Sequence, residues 1–261
     1  MNRLAPHRYA DTIATADREI PVRVHPSDAA HSRGVLVWAH GGSWRGGSAA
    51  SWHPALADLA RATGATVVAV DYRLAPAHRH PAALHDVLAA LDWAAHELAP
   101  DVALSVGGDS AGATLAAWAA LERRELGLAA QVLAYPPLDP TCAAASYRRD
   151  PAAFPRRADL MAAWRDYQGP EPVAPRAEFA SVDLTGAAPA VIAVGATDPV
   201  ADDGRAYARR LDAAGIAVDL LEMPDHGHGA FLVDGDFRRA LADAYTRITA
   251  TASIKAPRKT P

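Results

Sequence analysis

Cysteine is almost missing from this chain. Cys142 is the single one in 261 residues, so no intramolecular disulfide can form and no cysteine-based zinc framework is available. Lysine is nearly as scarce: Lys255 and Lys259 both lie in the C-terminal tail, and arginine carries the remaining basic charge. With a net charge of -4 and no basic cluster before that tail, the electrostatic footprint of a nucleic-acid binder is absent, so no nucleic-acid partner is expected. Long apolar runs are also wanting. None reaches the roughly 18 residues of a membrane helix, and the N-terminus from Met1 to Asp11 has no apolar stretch of signal-peptide length, so a soluble cytoplasmic chain without membrane insertion is expected.

What remains is ample for a core. Half of the residues are hydrophobic and 21% are charged, and α/β folds of this length are commonly one domain. The expected division is a single domain over residues 1–250, with a short N-terminal segment at 1–30, a cap-like insertion at about 138–184 and a disordered tail at 251–261. No internal repeat is evident.

Apolar runs of strand length recur along the chain, separated by helical patterns. Strands are read at Gly34 to His40, Ala65 to Tyr72, Val102 to Gly108, Ala130 to Tyr135, Ala188 to Val194 and Ile216 to Met223. Between them, helices are read from Trp52 to Thr63, from Pro81 through Ala95, from Ala111 to Leu121, from Asp202 to Ala214 and from Phe237 to Ile248. Ahead of these, Glu19 to Val24 alternates and contains Pro21, which suits an edge strand. The stretch from Leu138 to Leu184 loses strand periodicity and carries one helical pattern, Asp159 to Tyr167. Strand and helix alternation implies a mostly parallel sheet covered by helices on both faces.

Ligands of such sheets bind beyond the carboxyl ends of the strands, so chemistry is sought there. Gly108-Asp109-Ser110-Ala111-Gly112 stands at a strand-to-helix turn, where the flanking glycines permit a tight bend that thrusts Ser110 above the sheet. A serine hydroxyl needs a base, and the base needs a carboxylate to orient it. Asp198 follows one later strand and His228 another, with His226 as an alternative base. The order Ser110, Asp198, His228 is that of α/β-hydrolases. A Gly-rich loop, His40-Gly41-Gly42-Ser43-Trp44-Arg45-Gly46-Gly47, follows the strand at Val35.

Taken together, His40 to Trp44, Asp71-Tyr72-Arg73-Leu74-Ala75-Pro76, Pro81-Ala82-Ala83-Leu84, Gly108 to Gly112, Asp198-Pro199 and His228-Gly229 resemble the hormone-sensitive-lipase-like (family IV) esterases of the α/β-hydrolase fold, over about Val35 to Phe231. The resemblance implies Ser110 as nucleophile, Asp198 as orienting acid and His228 as base. It also implies an oxyanion hole made by the backbone N–H groups of Gly42, Ser43 and Ala111. Three departures stand out. Ser43 replaces the third glycine of the family's usual loop, an extra residue precedes the aromatic after His228, and the usual longer N-terminal helical cap is lacking. His-Gly-Gly-x-Trp also resembles the loop of kynurenine-formamidase-like relatives.

The remaining polar residues have structural readings. His78, His80 and His85 lack the accompanying ligands of a metal site, so no metal and no cofactor is expected. Asp202 and Asp203 suit the first turn of a helix, where the dipole favours negative charge. His40 is read as bracing its loop, and Trp44 and Trp52 as either core or pocket wall. The expected activity is hydrolysis of small-molecule, short-chain acyl esters through an acyl-enzyme. The alternatives are an amidase or arylformamidase and a non-catalytic ligand-binding member, as the gibberellin receptor is of this fold. Oligomeric state stays open, with a homodimer among the options.

Overall fold

β-Branched runs bounded by glycine or proline become strands here, and Ala/Leu-rich runs between them become helices. The computed structural model describes residues 11–15, 17–27, 32–169 and 179–250; the tail beginning at 251 lies outside them. Among the described residues, eight strands form one sheet: β1 (Asp11–Ala14), β2 (Glu19–His25), β3 (Val35–Ala39), β4 (Thr66–Val70), β5 (Leu104–Asp109), β6 (Gln131–Ala134), β7 (Ala190–Gly195) and β8 (Val218–Met223). Their order is β1-β2-β4-β3-β5-β6-β7-β8. From β4 to β8 every pairing is parallel, whereas β1 and β2 join antiparallel.

The edge position read for Glu19 to Val24 is corrected by this order. β2 lies second from the edge, covered by β1, a four-residue strand too short to carry an apolar run that would betray it. Pro21 is tolerated because its carbonyl accepts the Asp71 N–H at 3.0 Å, just where β4 has ended at Val70. Its missing donor therefore falls beyond the ladder.

The helices are α1 (His53–Thr63), α2 (Ala82–Glu97), α3 (Ala111–Glu122), α4 (Ser146–Arg149), α5 (Arg157–Gln168), α6 (Ala201–Ala213), α7 (Ala230–Val233) and α8 (Gly235–Ala250). Successive residues of β5 display the two faces of the sheet. A Cβ on Gly107 would meet the Trp38 ring at 2.9 Å, while one on Gly108 would meet Gly112 of α3 at 2.4 Å. Every residue of α3 from Ala111 to Leu121 is buried. Its alanines let it lie close against the sheet, as befits a helix that is apolar all round.

The insertion between β6 and β7 contributes α4 and α5 and no strand among the described residues. It is anchored by α6. Asp203 accepts hydrogen bonds from Leu138 N, Asp139 N and the Tyr147 hydroxyl at 2.9, 3.0 and 2.7 Å. Asp202 accepts from Ser146 N at 2.9 Å. The two acids are thus structural, as their position in a first helical turn suggests, and they also hold the start of the insertion. Burial lifts the Asp203 carboxyl to about 7.

Candidate active site

Ser110 follows β5 and caps the N-terminus of α3 with φ 50° and ψ -123°, a left-handed conformation held by the surrounding turn. The glycines at its flanks are needed sterically. A Cβ on Gly112 would lie 2.0 Å from the Ala39 carbonyl oxygen, closer than any real contact. The Ser110 N–H donates to Ala134 O at 2.9 Å, which ties the turn to β6.

Freed from capping its own helix, the Ser110 hydroxyl lies 2.8 Å from His228 Nε2. The other ring nitrogen, Nδ1, donates to Asp198 at 2.9 Å to one carboxylate oxygen and 3.1 Å to the other. With Nδ1 carrying hydrogen, Nε2 presents its lone pair to the serine hydroxyl. Asp198 is 1% exposed and also accepts the Val200 N–H at 2.9 Å, so its carboxylate is fixed in place. These three groups come from the ends of β5, β7 and β8.

His226 is turned elsewhere. Its Nε2 lies 3.3 Å from Asp234, and its carbonyl accepts from Thr197 N at 3.3 Å and Thr197 Oγ1 at 2.9 Å. A Cβ on Gly195 would meet that carbonyl oxygen at 2.2 Å, so the close approach of the histidine loop to β7 requires glycine there. Of the two imidazoles read as alternatives, the structure brings His228 to Ser110.

The loop after β3 has three successive residues at positive φ: Gly42 at 111°, Ser43 at 56° and Trp44 at 59°. Arg45 N and Gly46 N both donate to the Gly42 carbonyl, at 3.0 and 3.1 Å, closing a tight turn. No hydrogen bond among the described residues uses the N–H of Gly42, Ser43 or Ala111. Ala111 opens α3, so its N–H shares the positive end of the helix dipole.

Neighbouring motifs brace this loop. The Tyr72 hydroxyl donates to His40 O at 2.7 Å and its ring stacks on the His40 imidazole at 4.2 Å. His40 Nδ1 in turn donates to Gly41 O at 2.7 Å, and burial lowers the imidazole's pKa, keeping it neutral. Asp71 accepts Ala49 N at 2.6 Å, and Arg73 pairs with buried Asp86 of α2 at 2.9 Å. Trp44 is fully buried, stacked on Tyr167 at 4.8 Å and tilted against Trp164 at 4.3 Å, both from α5. Trp44 therefore belongs to the core and joins the loop to the insertion. His80, read as no metal ligand, hydrogen-bonds the Tyr167 hydroxyl at 3.0 Å through Nδ1.

Asp109 is the residue that sequence reasoning passed over. It is 2% exposed, and its Oδ1 accepts from Trp38 Nε1 at 3.1 Å, Trp52 Nε1 at 2.9 Å and Gly41 N at 3.1 Å. One carboxylate thus fastens the residue before Ser110 to the Gly-rich loop. Burial lifts it to about 7, against the pull of those three donors. The only signal available in the sequence was an acid placed inside a glycine-flanked strand end.

A serine hydroxyl held against a histidine ring nitrogen at the start of a helix suits attack on a carbonyl. Comparisons with known proteins point the same way. A family model described as "alpha/beta hydrolase fold" matches residues 36–232. The chain is 35% identical over 230 residues to a carboxylesterase, NlhH, of Mycobacterium tuberculosis, covering 81% of this chain and 71% of that one. It is 35% identical to an ethyl acetate hydrolase of Pseudomonas putida, over 80% of this chain and 70% of the relative. A solved esterase of Pyrobaculum calidifontis superposes with a TM-score of 0.83 at 30% identity, covering 93% of this chain and 84% of that one. By fold, by motif and by relatives, the chain belongs to the hormone-sensitive-lipase-like (family IV) esterases of the α/β-hydrolase fold.

Proposed function

We propose that this protein is a serine carboxylester hydrolase with Ser110, His228 and Asp198 as its catalytic triad. The observation that carries the reading is the unbroken chain from the Ser110 hydroxyl to His228 Nε2 at 2.8 Å and from His228 Nδ1 to Asp198 at 2.9 Å. Ser110 Oγ attacks the ester carbonyl carbon while its proton passes to Nε2. The carbonyl oxygen gains the negative charge and is met by the N–H groups of Gly42, Ser43 and Ala111. As the carbonyl re-forms, the C–O bond to the alcohol breaks and Nε2 returns the proton to the departing oxygen. Water then repeats the sequence on the acyl-enzyme, releasing the acid and Ser110. Asp198 keeps its hydrogen bond to Nδ1 and stabilises the imidazolium. All groups come from one chain, so the homodimer left open by the sequence is not needed to complete the site.

The acyl group favoured is short, roughly two to six carbons. Each further CH₂ adds about 0.8 kcal/mol only where a wall covers it. Three residues of the insertion that could roof a long groove, Tyr147, Leu160 and Trp164, are instead spent on packing. Ser43, half-buried beside the loop N–H groups, takes further room. The relatives' names, a carboxylesterase and an ethyl acetate hydrolase, support an ester over a formamide or amide.

A fluorophosphonate probe, together with p-nitrophenyl esters from acetate to palmitate and a formamide, tests this reading. Labelling at Ser110, its loss in Ser110→Ala, and kcat/KM that peaks at short acyl chains are expected. Labelling of a different serine would overturn the triad, a rise through ten or more carbons would overturn the chain-length preference, and faster turnover of the formamide would favour the arylformamidase reading.

A further inference from the structure

Among the described residues, the large apolar side chains left in water are Phe154, Leu232 and Val233, exposed by 71%, 39% and 86%. Each lies in or beside a segment that meets His228. Phe154 comes from the insertion, and its ring stands edge-on to the His228 imidazole, with centroids 5.8 Å apart and planes at 64°. Leu232 and Val233 lie on α7, the single turn that begins two residues after His228. Two aromatic rings of opposite character thus meet the imidazole. Tyr135, wholly buried and 4.7 Å away, belongs to the core, and Phe154 belongs to the solvent side.

Proton return fixes where the substrate must lie. The oxygen of the departing alcohol has to come within hydrogen-bond reach of His228 Nε2, since that nitrogen delivers its proton. The first carbons of the alcohol are therefore held close to the imidazole, and the ring that flanks the imidazole on the solvent side is the surface they meet. A phenyl group left mostly in water gains from being covered, and it gains more from a second ring, which can stack offset or edge-on, than from a small alkyl group.

We propose that Phe154 is a specificity-determining residue for the alcohol side of the ester, its ring forming the wall on which the leaving group lies and favouring aromatic alcohols over small alkyl ones. The inference rests on the assignment of His228 as the base. It adds a preference on the opposite side of the scissile bond from the acyl chain.

The test holds the acyl group constant and varies the alcohol. Benzyl acetate and ethyl acetate share one acetyl-enzyme, and the ratio of wild type to Phe154→Ala for each substrate cancels its intrinsic reactivity. Phe154→Ala is expected to lower kcat/KM for benzyl acetate by about tenfold and to change ethyl acetate by less than about twofold, with Phe154→Tyr retaining the wild-type preference. The melting temperature should not move, because the ring is exposed. Equal losses on both esters would mean that the ring acts through His228, and an unchanged benzyl acetate rate would mean that it touches no substrate; either result overturns the proposal. Absence of Ser110 labelling in the wild type would instead overturn the triad on which it rests.

Discussion

Replacing Gly112 by alanine sets two effects against each other, and the structure says which prevails. Alanine is favoured over glycine within a helix by about 1 kcal/mol, partly because it restricts the unfolded chain. On propensity alone, Gly112→Ala at the second position of α3 would stabilise the protein. The added Cβ, however, would stand 2.0 Å from Ala39 O and 2.5 Å from His40 O, where contacts below 3.0 Å force something to shift. Neither neighbour is a flexible side chain; both are backbone at the end of β3. The start of α3 must therefore retreat by about 1 Å from the loop that carries Gly42 and Ser43, and it takes Ser110 with it. Overpacking of this kind costs about 1–3 kcal/mol, which outweighs the helical gain and leaves a net loss of about 1 kcal/mol. Activity suffers more. A displacement of about 1 Å between nucleophile and oxyanion donors costs on the order of 10²-fold in rate. The assay is kcat on p-nitrophenyl acetate, normalised to active sites titrated with the fluorophosphonate probe, beside a thermal melt by circular dichroism. A melting temperature lowered by roughly 2–4 °C with kcat down about a hundredfold is expected. Wild-type kcat in a folded Gly112→Ala protein would refute the argument that glycine is required there for close approach.

Two further outcomes follow from the geometry. His228→Ala should lose on the order of 10⁴- to 10⁶-fold in kcat, whereas His226→Ala, which removes only a partly exposed pair with Asp234, should lose under about fivefold; initial rates on one short ester rank them, and the reverse order would reassign the base. His25 is 2% exposed, with its ring 5.1 Å from that of His53, and burial first, then repulsion by His53 and Arg23, lowers its pKa from 6.5 to about 4. Its neutral form is the one the fold accepts, so its contribution is fully present above pH 6.5 and is lost as pH falls through 4. Between pH 7.5 and 4.5 the loss is about 2 kcal/mol, and urea unfolding of His25→Phe should show a correspondingly flatter pH dependence. An unchanged slope would mean that His25 is hydrated in the folded protein.

Much of this protein is legible in the sequence because the features concerned are local. A run such as Val35 to Ala39 is apolar at every position, and that alone marks a strand buried on both faces. The elbow around Ser110 is specified within five residues, since Gly108 and Gly112 must each lack a side chain for the turn to close. Asp198 and His228 are likewise recognisable from their places after apolar runs. What tertiary structure alone decided involves residues that are distant in sequence or equivalent in it. His226 and His228 are the same residue two positions apart, and the path of their loop past Gly195 and Thr197 determines which one meets Ser110. β1 has no periodicity of its own and exists because β2 offers it an edge. Asp109 joins Trp38, Trp52 and Gly41 across 57 to 71 residues of chain, a contact that leaves no mark on composition or spacing. Trp44 could equally have lined a pocket until Trp164 and Tyr167 of α5 closed over it. Periodicity reports which face of an element is buried; only the folded chain determines what lies against that face.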